Sequence, residues 1–252
     1  LYGCYNKRSL SEPKILIPAW SWSRLEVYET CPYRAYLQYV EKVPTPPLVP
    51  PEGKEEHPLT RGVRVHQAAE DYVTRDILLV DELQAFAEQF ELQRTQYQAN
   101  PDLCIVEAEW GIDQDWKPTA WMGDNTWGRM KLDWGYVDGA TMTIVDYKTG
   151  GKYATKHVQQ GQLYALAARA YFPEVKTFHV AFWYLDKEDT LEQTYSQIQV
   201  DVLRDGFDRR AKTMTLATEF KPRPSAYACR FCPYGEGKDG NKHCEYRYSY
   251  DN

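Results

Sequence analysis

A chain of 252 residues, 43% of them hydrophobic and with 8 Trp and 20 Tyr, carries enough apolar side chain for a sizeable core, which excludes long disordered stretches. A formal net charge of -6 argues against a protein that coats nucleic acid non-specifically, although basic residues gather at Arg61–Arg64, Lys148–Lys156 and between Lys212 and Arg230. No apolar run of about 18 residues occurs, so no segment is expected to span a membrane, and the opening LYGCYNKRSL lacks the apolar stretch of a signal peptide.

Ser21 is placed to cap a helix over WSRLEVYETCPYRAYLQYV, where Leu25, Tyr28, Cys31, Ala35 and Tyr39 recur at helical spacing. Pro32 should interrupt that helix locally. Residues 44–58, with PTPPLVPPEG, read as an irregular connection. A second helix is expected from Thr60 to about residue 77, carrying His66, and a third from Asp81 through LQAFAEQFELQRTQYQA. Segments 103–112, 127–138 and 141–148 are rich in β-branched and aromatic residues and read as strands, with Asp138-Gly139 as a turn signal. Helical spacing returns over 156–171, through Leu163, Leu166, Ala167 and Ala170. Strands near 175–185 and 192–200 and a helix over about 201–217 follow, before a loop-rich, cysteine-bearing tail from 219. The order predicts a mixed α/β core. It divides into an N-terminal helical segment (1–60), a core (61–218) and a cysteine-rich module (219–252).

The central run MKLDWGYVDGATMTIVDYKTGG places Asp133 on one expected strand and Asp146 and Lys148 on the next. Residues two apart on a strand share a face, so Asp146 and Lys148 point the same way, and a short hairpin brings Asp133 towards them. Two carboxylates at one spot repel, and a divalent cation such as Mg²⁺ or Mn²⁺ relieves the repulsion. The backbone carbonyl of Tyr147 is a further candidate ligand. A bare Asp-x-Lys is equally the signature of a solvated hairpin with a surface ion pair. Glu107 and Glu109, on the preceding strand, could either of them approach the site, with a structural role the favoured expectation.

Four elements in order strengthen the metal-site reading. IVDYKTG resembles the signature strand of the RecB-type nucleases of the PD-(D/E)XK superfamily, and LDWGYVDG resembles their first acidic strand. QQGQLYALAARAY is similar to the family's Gln-x-x-x-Tyr helix, at Gln160 and Tyr164, and RGVRVHQAAE to the helix that carries the family's histidine, at His66. Met130 stands where the family often has glycine. The resemblance covers about residues 20 to 246. It implies a restriction-endonuclease-like mixed sheet flanked by helices, with His66, Asp133 and Asp146 as metal ligands and Lys148 catalytic. Gln160 and Tyr164 would support the site or touch DNA; as i and i+4 on one helical face, they also fit an exposed polar edge.

Of 6 cysteines, Cys229, Cys232 and Cys244 cluster near the C-terminus. A Cys-x-x-Cys pair aims two sulfurs at one ion. Cys31, in ETCPYRAY, stands where RecB-type nucleases with an iron–sulfur cluster carry their first ligand, as in bacterial helicase–nucleases and CRISPR-adaptation nucleases. The resemblance implies Cys31, Cys229, Cys232 and Cys244 around a [4Fe–4S] cluster that ties the chain ends together. Zinc is the alternative, held by Cys229, Cys232, Cys244 and either Cys31 or His243. Cys4 and Cys104 read as free or buried thiols.

The activity implied is a Mg²⁺- or Mn²⁺-dependent DNA exonuclease acting on single strands or ends in the cytoplasm, or in a host's cytoplasm if phage-encoded. A helicase, recombinase or CRISPR integrase is the implied partner class, and a homo-oligomer is compatible with it. No Walker A motif is present, so no ATP motor is expected. The alternative is a non-catalytic, cluster- or zinc-stabilised DNA-binding subunit of a repair or CRISPR-adaptation complex. A thiol redox protein fits poorly, because no βαβ context surrounds the Cys-x-x-Cys. Most of the aromatic residues are expected in the core, and a minority could stack on unpaired bases.

Overall fold

Ser21 caps the first helix as expected: its hydroxyl accepts from the Arg24 amide at the start of α1 (Trp22–Thr30). The computed structural model describes residues 15–75, 77–230, 232–235 and 244–246. Cys4 and His243 lie outside the described residues. Pro32 disfavours helical backbone at the residue before it, and Cys31 is extended, with φ -156°. A short α2 (Pro32–Ala35) and a π-helical turn (Tyr36–Val40) follow. The second long helix, α3 (Pro58–Thr74), begins two residues earlier than Thr60. Pro58 suits a first helical turn, and the His57 ring nitrogen accepts from the Leu59 amide at 3.1 Å. The segment after Asp81 opens as a 3-10 turn (Asp81–Phe86) before α4 (Ala87–Ala99).

The strands are β1 (Trp20–Ser21), β2 (Cys104–Ile112), β3 (Pro118–Thr119), β4 (Gly128–Asp138), β5 (Thr141–Lys148), β6 (Thr177–Tyr184) and β7 (Asp189–Ser196). They form one mixed sheet in the order β3-β2-β4-β5-β6-β7, with β1 parallel to β4. Helix α5 (Ala154–Tyr171) joins the parallel pair β5–β6, α6 (Gln197–Thr215) follows β7, and α7 (Ala226–Arg230) lies beyond. The last strand stops at Ser196 rather than running to 200. Ser196 and Gln199 form a reciprocal capping box that starts α6 there. No helix among the described residues is long and apolar enough to cross a membrane.

Two apolar layers cover the sheet. On one face Leu132, Ile144, Phe178 and Phe182 pack with Leu163 and Leu166 of α5 and with Phe207 of α6. On the other, Trp134, Val145, Tyr147 and Trp183 pack with Val65, Ala69 and Tyr72 of α3 and with Phe90 of α4. Each fully buried large side chain contributes about 1.5–3 kcal/mol. Gly161 lets α5 lie close to β6, since a Cβ there would sit 2.9 Å from Gln193 Oε1 and 3.1 Å from the Phe182 ring.

The period-2 alternation resets inside two strands. On β4, Met130 and Leu132 face one layer, whereas Trp134 and Tyr136 face the other. On β2, Cys104 and Val106 belong to the second layer and Ala108, Trp110 and Ile112 to the first. The crossing residues are Asp133 and Glu107, and Glu107 takes a left-handed φ of 45°. The β4–β5 ladder reaches Trp134 opposite Val145 and ends there.

Candidate metal centre

Strand β5 delivers Asp146 and Lys148 to one face, under α5. Tyr164 donates its hydroxyl to Asp146 Oδ1 at 2.6 Å, and the Gln160 amide reaches the same oxygen at 3.3 Å. Gln160 also donates to the Tyr164 oxygen at 2.7 Å and accepts from Lys148 Nζ at 3.1 Å. Lys148 Nζ lies 2.6 Å from Asp146 Oδ2. That buried oxygen is thus held by the ammonium alone. Gln160 and Tyr164, the expected supporting pair, thus both hold a carboxylate.

Asp133 stands where β4 and β5 part. Its Oδ2 accepts from the Tyr147 amide at 2.7 Å, so a side chain supplies the bond that the ladder no longer makes. Its Oδ1 faces His66 Nδ1 of α3 at 3.2 Å. Burial, and then the Asp146 charge, push the Asp133 carboxyl above its ordinary range. Burial disfavours a charged His66, but the Asp133 and Glu107 carboxylates beside it outweigh this and carry the imidazole up to about 10. The Tyr147 backbone, whose carbonyl is the remaining expected ligand, runs between Asp146 and Lys148. The Tyr147 ring turns to the opposite layer and donates to Gln93 Oε1 at 2.7 Å.

Glu107 approaches this group, the less favoured of the two placements expected of it. Its Oε1 is 3.8 Å from His66 Nδ1, and its Oε2 is 2.8 Å from Lys131 Nζ. One ligand atom each from His66, Glu107 and Asp133 lies within 4.8 Å of the others. Glu107 Oε1 is buried without a hydrogen-bond partner. Burial raises the Glu107 carboxyl, yet His66 and Lys131 more than offset this and leave it below the ordinary range. The group opens on a cleft of about 390 Å³ lined by Gly62, His66, Glu70, Glu107, Asp133 and Tyr164, among others. An imidazole, buried carboxylates and an unsatisfied oxygen fit a hard divalent cation. Alternating strand patterns hid Glu107, because the reset places its side chain where regular pleating would not.

A second constellation lies at the chain ends. Cys31, Cys229, Cys232 and Cys244 line one narrow cavity with Tyr33, Arg34 and Leu37. The Arg223 amide points at Cys31 Sγ at 3.4 Å, and the Cys232 amide donates to the Cys229 carbonyl at 3.3 Å. Burial raises the Cys232 and Cys244 thiols, and the neighbouring thiols of the group add to the rise. Cys104 is apart from them, with its thiol 3.6 Å from the Asn100 carbonyl.

The sequence model of the PD-(D/E)XK nuclease superfamily matches residues 19–122 and 131–236. Among solved structures, SSO0001 is 12% identical, with 92% of this chain and 88% of that chain covered and a TM-score of 0.45. A presumed exonuclease from Eubacterium rectale is also 12% identical, with 91% and 92% covered and a TM-score of 0.47. No curated protein matches the chain.

Proposed function

Because the chain belongs to the PD-(D/E)XK nuclease superfamily, we propose that it is a Mg²⁺- or Mn²⁺-dependent deoxyribonuclease of RecB-like type, an exonuclease on single-stranded DNA or DNA ends. The observation that carries this reading is the convergence of His66, Glu107 and Asp133 beside the strand bearing Asp146 and Lys148. His66, Glu107, Asp133 and Asp146, with the Tyr147 carbonyl, are the proposed ligands. Held by these residues, a divalent cation would supply Lewis-acid chemistry, activating water and offsetting charge on the phosphodiester. Lys148 brings a fixed positive charge to the face that the phosphate would meet and neutralises negative charge developing on it. Gln160 holds that ammonium and, with Tyr164, fixes the Asp146 carboxylate. Asp133 is held by the Tyr147 amide, so neither carboxylate must reorganise as the reaction proceeds.

The test is cleavage of end-labelled single- and double-stranded DNA in Mg²⁺, Mn²⁺ or EDTA. Metal-dependent products that vanish in Lys148→Ala support the enzyme. A folded wild type that binds DNA in every arm and cuts none would instead support the non-catalytic subunit.

The four cavity-lining cysteines are proposed to hold a [4Fe–4S] cluster. The cavity that collects Cys31 with three residues from the C-terminal tail supports this. Zinc on the same thiolates is the alternative. Anaerobic purification with iron, sulfide and zinc analysis decides between them.

A further inference from the structure

Lys156 lies one helical turn before Gln160 on α5, about 6 Å along the axis and on the same face. Around it a second cleft of about 360 Å³ opens, bordered by Glu26 and Thr30 of α1, by Arg34 and by Ala228 of α7. Two tyrosines stand in this cleft: Tyr153, 60% exposed, and Tyr227, 62% exposed. Their rings are not core packing, unlike most aromatic side chains of the chain. The Lys156 ammonium sits 6.0 Å from the Tyr153 ring centre and 5.7 Å from that of Tyr227. Glu26 Oε1, 3.0 Å away, holds the ammonium between the two rings.

Exposed aromatic faces with cations between them are the elements that grip unpaired nucleotides, because every base has a face to stack while only the backbone needs a charge. A duplex offers no free base faces at such a groove. The helix that carries Lys156 also carries Gln160, which touches both Asp146 and Lys148. We propose that this cleft seats unpaired bases next to the scissile phosphate, stacked on Tyr153 and Tyr227, with Lys156 facing the backbone. The inference rests on the nuclease reading and gives its substrate a second, non-catalytic grip. Tyr227 precedes Cys229 by two residues, so the cysteine cavity positions one of the stacking rings.

The experiment measures fluorescence anisotropy of labelled single-stranded and blunt-duplex oligonucleotides in Mg²⁺, on the Lys148→Ala background to prevent cutting. Adding Tyr153→Ala with Tyr227→Ala should weaken single-strand binding about tenfold or more and leave duplex binding unchanged. Tyr153→Ala alone, at an exposed position, should give part of the loss if the double variant folds poorly. Scanning the oligonucleotide with abasic sites should reveal one or two sensitive positions that become insensitive in the variant. An unchanged affinity in the folded variant, or a flat abasic scan, overturns the cleft while leaving metal-dependent cleavage by the wild type intact. A wild type that neither cuts nor binds DNA overturns the nuclease reading, and the cleft with it.

Discussion

Tyr164 and Asp146 meet hydroxyl to carboxylate at 2.6 Å, bridging α5 and β5 in a buried contact. Removing only the hydroxyl keeps the ring in its packing and leaves Asp146 Oδ1 with the longer Gln160 bond. A hydrogen bond to a charged acceptor is worth about 1.5–3 kcal/mol. Tyr164→Phe should therefore slow cleavage about tenfold or more, with an unchanged circular dichroism spectrum. Equal rates for variant and wild type would show that the hydroxyl does not hold Asp146 in place.

Glu107→Gln keeps the shape and removes the charge. If Glu107 binds the cation, Mn²⁺ affinity measured by calorimetry falls about tenfold or more, and cleavage falls at subsaturating metal. If Glu107 serves only to pair Lys131, metal affinity stays where it was.

His157 is buried, stacked on Phe182 and bonded to the Tyr184 hydroxyl at 2.6 Å. Burial first, and then the Lys148 charge, bring its pKa down from 6.5 to about 4. Above pH 6.5 the imidazole is neutral in the folded and the unfolded chain. Between about 6.5 and 4 only the unfolded chain takes up the proton, so stability falls with falling pH, and below about 4 the loss levels off. In EDTA, the difference in Tm between wild type and His157→Gln should change across that window and be flat above it. A difference that stays constant from pH 7 to pH 4 would contradict the depressed pKa.

Much of this was legible in the sequence because local rules and tertiary contacts agree. Strand β5 coincides with the expected 141–148, and Gln160 and Tyr164 follow from one helical face turned to that strand. The rest depends on long-range geometry. His57 capped α3 in place of Thr60, since Pro58 already favours a first helical turn. The strand expected to reach 200 yielded to the Ser196–Gln199 box. Glu107 enters the site because two strands exchange faces at one point, which no period-2 pattern can announce. The meeting of Cys31 with the tail thiols joins residues that no local periodicity connects.

Cys31→Ser should remove one thiolate from the proposed cluster. Anaerobically purified wild type should then show iron–sulfur absorbance that the variant lacks or loses quickly in air, and a higher Tm than the variant. A colourless wild type holding zinc would decide the other way.

The β4–β5 connection has only Gly139 and Ala140 between the paired Asp138 and Thr141, and Gly139 takes a left-handed φ of 56°. Behind it, β5 is buried over most of its length. Shifting that strand by a single position would turn Asp146 and Lys148 together into the aromatic layer and bring the Tyr147 phenol to the face they now occupy. The turn therefore acts as a length gauge for the chemistry. Natural or engineered insertions should be far better tolerated between β3 and β4 than at Gly139–Ala140, where one extra residue would have to be absorbed entirely within the turn.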